Sequence, residues 1–263
     1  VSSSKKYTSQ NIETKIIFVG LQAMIDPPGP EVKEAINISR SAGIETVMIT
    51  GDHASTAGAI ATELGLMTKD DKVMIGIELD KYSDDKLYSA IENVRVFARV
   101  SPEHKLRIVN TLKSKGHVVA MTGDGINDAP ALKVADIGIA MGIKGTDVSK
   151  EASDMILMDD NYNSIVKAVE EGRGIFDNIK KFIRYLISCN VGEVMAIFVA
   201  MLIGLPLPLI AVQILWMNLL TDGLPALALG FDPPTRDIML QSPRGTKEGA
   251  ISKDTWIFSI FVG

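Results

Sequence analysis

The chain has 263 residues, 46% hydrophobic and 22% charged, with a mean hydropathy of +0.19. That balance excludes a disordered or collagen-like chain, and a net charge of −5 excludes a strongly basic nucleic-acid binder. The single cysteine, Cys189, excludes an internal disulfide, and His53, His104 and His117 lack zinc spacing.

The chain opens at Val1 without a secretory-signal pattern and stops at Gly263 inside the apolar run Trp256 to Val262. The expectation is a segment of a longer protein. Residues 1–15 are polar and irregular, as at the end of a preceding domain or linker. Over 16–160, short apolar runs alternate with amphipathic stretches. Lys15 to Leu21 reads as a strand, Pro30 to Ala42 as a helix, Glu45 to Thr50 as a strand and Ala54 to Leu64 as a helix. Asp84 to Glu92 reads as a helix, Val94 to Ala98 as a strand and Pro102 to Lys115 as a helix. His117 to Thr122, Asp136 to Met141 and Asp154 to Met158 read as strands, with a helix at Ala129 to Ala135. Pro30 and Pro102 suit first helical turns, and Gly43 and Gly116 suit stops. This alternation predicts a parallel sheet with helices on both faces.

Residues 161–184 continue as a helical stalk, with no proline before Pro206. A helix of that run would be about 60 Å long at about 1.5 Å per residue. Tyr185 to Leu205 holds one charged residue, Glu193, and Leu209 to Leu229 holds one, Asp222. Each tract has the length of a membrane-spanning helix, with a turn at Gly204 to Pro208, so 185–231 reads as a membrane hairpin. Lys180, Lys181 and Arg184 precede the pair, and Arg236, Arg244, Lys247 and Lys253 follow it. The positive-inside bias places both flanks in the cytoplasm. Residues 232–255 read as a cytoplasmic loop, and 256–263 as the start of a further membrane helix.

Two intramembrane carboxylates need a reason, since each costs roughly 2.5–3.5 kcal/mol on insertion scales. Asn190 and Glu193 share one helix face, and Asn218, Thr221 and Asp222 share another. Packed together they offer hard oxygen donors suited to a cation such as calcium; polar glue between helices is the other reading. Gly223-Leu224-Pro225 follows, a break that can free carbonyls to line a site.

The soluble part carries a second constellation. Met121 to Asp128 (MTGDGIND) follows an apolar strand and opens a helix. Its glycines allow close approach, and Asp124 and Asp128 can hold Mg²⁺. Thr50-Gly51-Asp52 ends another strand with a hydroxyl and a backbone N–H for a phosphoryl oxygen. Arg99 and Lys105 supply positive charge nearby.

The run Thr122 to Leu132 (TGDGINDAPAL) resembles the hinge signature of P-type ATPases, a branch of the haloacid-dehalogenase phosphotransferases. Asp26-Pro27-Pro28, Thr50-Gly51-Asp52 and Phe97 to Lys105 (FARVSPEHK) match its other signatures in order, and Tyr185 to Glu193 and Leu215 to Ala226 extend the match through the hairpin. Asn218 together with Glu193 is most similar to the sarcoplasmic-reticulum-type calcium pumps. The resemblance implies an incomplete α/β Rossmann-like haloacid-dehalogenase-type domain followed by a transmembrane α-helical hairpin. It implies ATP hydrolysis through an aspartyl phosphate, with Mg²⁺ at Asp124 supported by Asp128. It implies nucleotide or phosphoryl contacts from Thr50, Gly51, Asp52, Arg99, Lys105 and Asn127. Calcium would bind Asn190, Glu193, Asn218, Thr221 and Asp222, and Asp26 would belong to a hinge. The partners implied are the lipid bilayer and the remainder of a multi-pass pump, including its nucleotide-binding and actuator domains.

The family's Asp-Lys-Thr-Gly motif is absent: Asp71-Lys72, Asp80-Lys81 and Asp85-Lys86 are followed by Val, Tyr and Leu. The phosphorylated aspartate is therefore expected outside this chain. A pump for sodium, potassium or manganese, or a membrane-anchored phosphatase of the same superfamily, are the alternatives.

Overall fold

The computed structural model describes residues 16–20, 22, 27–68, 71, 73–245, 248–249, 251 and 253–262. Helix α1 (Pro30–Ser41) starts on its proline and ends at Gly43, whose φ of +72° is the left-handed stop a glycine supplies. Strand β1 (Met48–Ile49), helix α2 (Ala54–Glu63) and strand β2 (Met74–Ile75) follow. Helices α3 (Gly76–Asp80) and α4 (Asp84–Ala90) lead to β3 (Val96–Ala98), and α5 (Pro102–Ser114) to β4 (Ala120–Gly123). Ser101 caps α5 by accepting from the His104 N–H, while the Ser101 N–H donates to His104 Nδ1, a closed capping pair. A 3₁₀ turn (Ile126–Asp128) precedes α6 (Ala129–Val134), β5 (Ile137–Met141), α7 (Asp147–Glu151) and β6 (Met155–Leu157).

Among the described residues all strand pairs are parallel, but they divide into two three-stranded sheets, ordered β1-β3-β2 and β4-β5-β6. This corrects the single sheet expected from the alternation. Alternation sets that strands run parallel; it does not set which strand lies between two halves. β1 and β4 are each an edge strand. The expected first strand is also corrected: residues 16–20 form no strand, and Ile16 to Val19 are exposed. An apolar run without a paired neighbour does not make a strand; Lys15 and Leu21 lie outside the described residues. Strand β2 escaped the sequence reading because two residues carry no period.

Three apolar clusters hold the domain. Val96 and Ala98 face α1 and α2 through Ile36, Ala57 and Ala61. Phe97, on the opposite face of β3, packs with Leu79, Leu87, Ile91 and Ile108. The third joins Val109, Met121 and Leu132. Phe97 is fully buried, so Phe97→Ala is expected to cost about 3–5 kcal/mol, read as a lowered urea midpoint of this domain in the whole protein.

Beyond the domain, α8 (Tyr162–Leu202) is one continuous helix of 41 residues, about 60 Å long at about 1.5 Å per residue. It joins the stalk and the first apolar tract without interruption. The second tract, expected to break at Gly223-Leu224-Pro225, is built of α9 (Ala211–Trp216), a π-helical stretch (Met217–Asp222) and α10 (Gly223–Gly230), so the irregularity lies before Gly223 and residues 223–225 are helical. Both Tyr162–Leu202 and Ala211–Gly230 are long and apolar enough to cross a membrane. A 3₁₀ turn (Ile238–Leu240) and helix α11 (Lys253–Val262) end the chain, with α11 beginning before the expected Trp256.

Candidate phosphate and cation sites

Two loops at the carboxyl ends of strands carry the residues expected at a phosphate site. The first leaves β4. Asp128 is buried and spends both oxygens locally: Oδ1 accepts from Lys105 Nζ at 2.5 Å, and Oδ2 from the Gly125 N–H at 3.1 Å and the Asp124 N–H at 3.3 Å. A Cβ on Gly123 would collide with the Asp128 side chain, so glycine is needed for the loop to fold onto that carboxylate. The Asp124 and Asn127 side chains are left exposed.

The Asp124 carbonyl is fixed from the other side, by the Thr146 N–H at 2.9 Å and the Ser149 hydroxyl at 3.1 Å. Ser149 is fully buried. Asp160, at φ +51°, in turn accepts from the Ile143 N–H at 3.0 Å and the Lys144 N–H at 2.8 Å. Burial pushes the Asp160 carboxyl up, and these backbone donors outweigh it, holding it below the usual carboxylate range. Sequence reasoning missed Thr146, Ser149 and Asp160. The available signal was Thr146 three residues before Ser149, an N-cap pattern for α7.

The second loop leaves β1. Thr50 Oγ1 accepts from the Asp52 N–H at 3.1 Å, turning the chain back. The Arg99 N–H donates to the Asp52 carbonyl at 3.0 Å and the Val100 N–H to Thr50 at 3.3 Å, tying this loop to the end of β3. Arg99 sits at φ +50°, a conformation unusual for a side-chain-bearing residue, and its guanidinium is exposed. A Cβ on Gly51 would meet nothing within 4 Å, so its backbone is open to a ligand. The structure thus joins Asp124, Asp128 and Lys105 in one cluster and Thr50, Gly51, Asp52 and Arg99 in another. Asp26, expected at a hinge, lies outside the described residues.

In the hairpin, Asn218 Nδ2 donates to Glu193 Oε2 at 3.1 Å, linking α8 to the π-helical stretch. Glu193 Oε1 and Asp222 Oδ2 are shielded from solvent with no hydrogen-bond partner among the described residues. Asp222 is only 3% exposed. Asn190 and Thr221 instead point to exposed positions: Asn190 Nδ2 donates to the Leu186 carbonyl at 2.8 Å, and the Thr221 carbonyl accepts from Tyr185 at 3.3 Å. The π-helical stretch, which the sequence did not announce, ends on Asp222. Such stretches shift the register of side chains below them. An unpaired carboxylate in an apolar setting is costly and calls for a counter-charge. Among the described residues no three acidic, His or Cys side chains converge closely enough to hold a metal by themselves.

Stalk and loop are fastened together. Arg173 donates to the carbonyls of Ile238 (2.9 Å), Gln241 (2.8 Å) and Ala42 (2.7 Å), so one guanidinium spans α8, the 232–245 loop and the end of α1. Asn178 donates to the Asp232 carbonyl at 2.6 Å, and Lys181 pairs with the Asp232 carboxylate. Losing three charge-assisted bonds at once, Arg173→Gln is expected to free the 232–245 loop. Limited proteolysis of the whole protein should then cut that loop several-fold faster than in the wild type.

Three comparisons bear on these sites. Residues 5–136 and 105–169 match models of haloacid dehalogenase-like hydrolases, and residues 206–263 match the C-terminus of cation transporting ATPases. The chain is 54% identical over 253 residues to a calcium-transporting ATPase of Bacillus subtilis, and 56% identical over 253 residues to calcium-transporting ATPase 1 of Bacillus cereus. These alignments cover 96% and 94% of this chain but 28% of each relative, so the chain spans little more than a quarter of their length. A solved catalytic domain of a CPx-ATPase is 28% identical, covering 54% of this chain and 45% of that one, with a TM-score of 0.40. With parallel strands ending in the Thr50-Gly51-Asp52 and Thr122 to Asp128 loops, the chain belongs to the haloacid dehalogenase-like hydrolases.

Proposed function

We propose that this chain is the part of a calcium pump that links phosphoryl chemistry to the ion pathway. The observation that carries it is the pair of shielded, unpartnered oxygens, Glu193 Oε1 and Asp222 Oδ2, on neighbouring membrane-length helices. Two carboxylates with Asn218 beside them form a hard oxygen set, and a divalent cation supplies the missing counter-charge. Asn190 and Thr221 are the further ligands the reading includes, needing local rotation from their exposed positions. The relatives' printed activity, calcium transport, supports the choice of cation.

At the other end, the Asp124 loop fits a hard divalent ion: an exposed carboxylate at a strand end, on a backbone pinned by Thr146, Ser149 and Asp128. Mg²⁺ held by Asp124 would neutralise charge on phosphoryl oxygens when bound. Asp128 acts mainly by orienting, because both its oxygens are occupied within the loop; Lys105, steered by Asp128, presents positive charge to the phosphoryl group. The Thr50 hydroxyl and the open Gly51 backbone offer donors to the same group, with Asp52, Arg99 and Asn127 toward the nucleotide. The attacking aspartate belongs to the remainder of the pump. The edge strands β1 and β4 leave unpaired backbone groups where another strand can join the two sheets.

The domain would sit in the cytoplasm, with α8 running from it into the bilayer as one rigid element. Division of the domains follows: 16–160 phosphorylation domain, 161–184 stalk, 185–231 hairpin, 232–255 loop. The test is to express the whole pump and add radiolabelled ATP. Calcium-dependent, hydroxylamine-sensitive label supports the reading; label that ignores calcium but follows another cation would reassign the ion.

A further inference from the structure

Where the stalk meets the apolar part of α8, a cavity of about 310 Å³ opens between α8, the 232–245 loop and α11, with Lys180, Lys181, Arg184, Asp177, Pro234 and Thr235 among its walls. Its cations are not equivalent. Lys180 is paired with Glu248 at 2.8 Å, and Lys181 is paired with Asp232. Asp177, the acid on the wall, is taken by Arg244. Arg184 has no acidic partner among the described residues; its guanidinium lies 3.5 Å from the centroid of the Phe258 ring and is exposed. Stacking holds the plane still and leaves the N–H edge free, the form in which arginine binds phosphate bidentately.

The level of this cavity is set by its neighbours. Arg184 is the last charge before the tract from Tyr185 to Leu205, and exposed Trp256 and Phe258 stand on α11 beside it. Aromatic rings next to a terminal arginine mark the interface where phospholipid headgroups lie. Basic pockets between membrane helices on the cytoplasmic side suit anionic headgroups.

We propose that this cavity binds the phosphate of an anionic glycerophospholipid, gripped by Arg184 on its Phe258 platform with Lys180 and Lys181 raising the local potential. The proposal rests on the orientation given above, with the stalk on the cytoplasmic side. A bound headgroup would brace α8 against α11 where the stalk enters the bilayer.

The experiment uses the whole pump, purified in detergent with equal phosphatidylglycerol and phosphatidylcholine, and native mass spectrometry of the lipids it retains. Wild type is expected to retain phosphatidylglycerol preferentially; Arg184→Gln should lower that retention about tenfold, the effect of one charge-assisted bidentate contact. Phe258→Leu, which keeps every charge, should lower it several-fold. Equal retention in wild type and Arg184→Gln would overturn the site. Displacement of the lipid by millimolar inorganic phosphate would show that a soluble phosphate is the occupant and overturn the lipid assignment; no displacement supports it. Calcium-dependent phosphoenzyme is measured on the same samples. Its absence, with lipid retention still sensitive to Arg184, would overturn the pump reading while leaving the lipid site standing.

Discussion

Asp124→Asn is expected to abolish phosphoenzyme formation in the whole pump, with a loss of about a hundredfold or more. The change removes the one exposed charge on the loop proposed to meet the phosphoryl group, and a metal ion beside developing phosphoryl charge stabilises it by several kcal/mol. The substitution leaves the loop itself intact. Its fixed points are the Asp124 carbonyl, bonded to Thr146 and Ser149, and the N–H groups bonded to Asp128, none of which involves the Asp124 carboxylate. Thermal stability should therefore stay near that of the wild type while label from ATP disappears. Asp128→Ala should do the opposite in kind: it strands Lys105 and unpins two N–H groups, so stability falls together with activity. Full phosphoenzyme levels in Asp124→Asn would remove Asp124 from the chemistry.

Glu193→Gln and Asp222→Asn are expected to weaken calcium activation of the whole pump by about tenfold or more each. An all-oxygen cation site loses charge that nothing nearby replaces. The same geometry sets a second sign. Without calcium, a carboxylate with a shielded, unpartnered oxygen destabilises the fold, so its amide should raise the midpoint of thermal unfolding in calcium-free buffer. Polar glue between helices predicts the reverse, since removing a partner from a satisfied bond lowers stability. Phosphorylation from inorganic phosphate, which needs no calcium, should survive in at least one variant. Unchanged calcium dependence in both, with lowered stability, would make these acids structural.

Much of this was legible in the order of residues. Pro30, Pro102 and Gly43 mark element ends whatever surrounds them, because ring closure and left-handed φ are local constraints. The two apolar tracts, each with one acid, were equally plain. The run TGDGIND announced its loop because close packing on Asp128 demands glycine at 123.

Other features depend on partners far away in the chain. The division of the strands into two sheets turns on which edges find a neighbour, and alternation is blind to that. Residues 16–20 form an apolar run as a buried strand would, yet stay unpaired and exposed among the described residues. The split of roles between Asp124 and Asp128, both acids of one motif, came from burial: Lys105, 23 positions upstream, takes one oxygen of Asp128 and leaves Asp124 facing outward. Helical spacing placed Asn190 with Glu193 and Thr221 with Asp222. Only packing, with a π-helical stretch that no propensity signals, turned Glu193, Asn218 and Asp222 inward and left Asn190 and Thr221 outside. Residue types set which chemistry is available; long-range contacts decide which copy of a residue type is spent on structure and which stays free for a ligand.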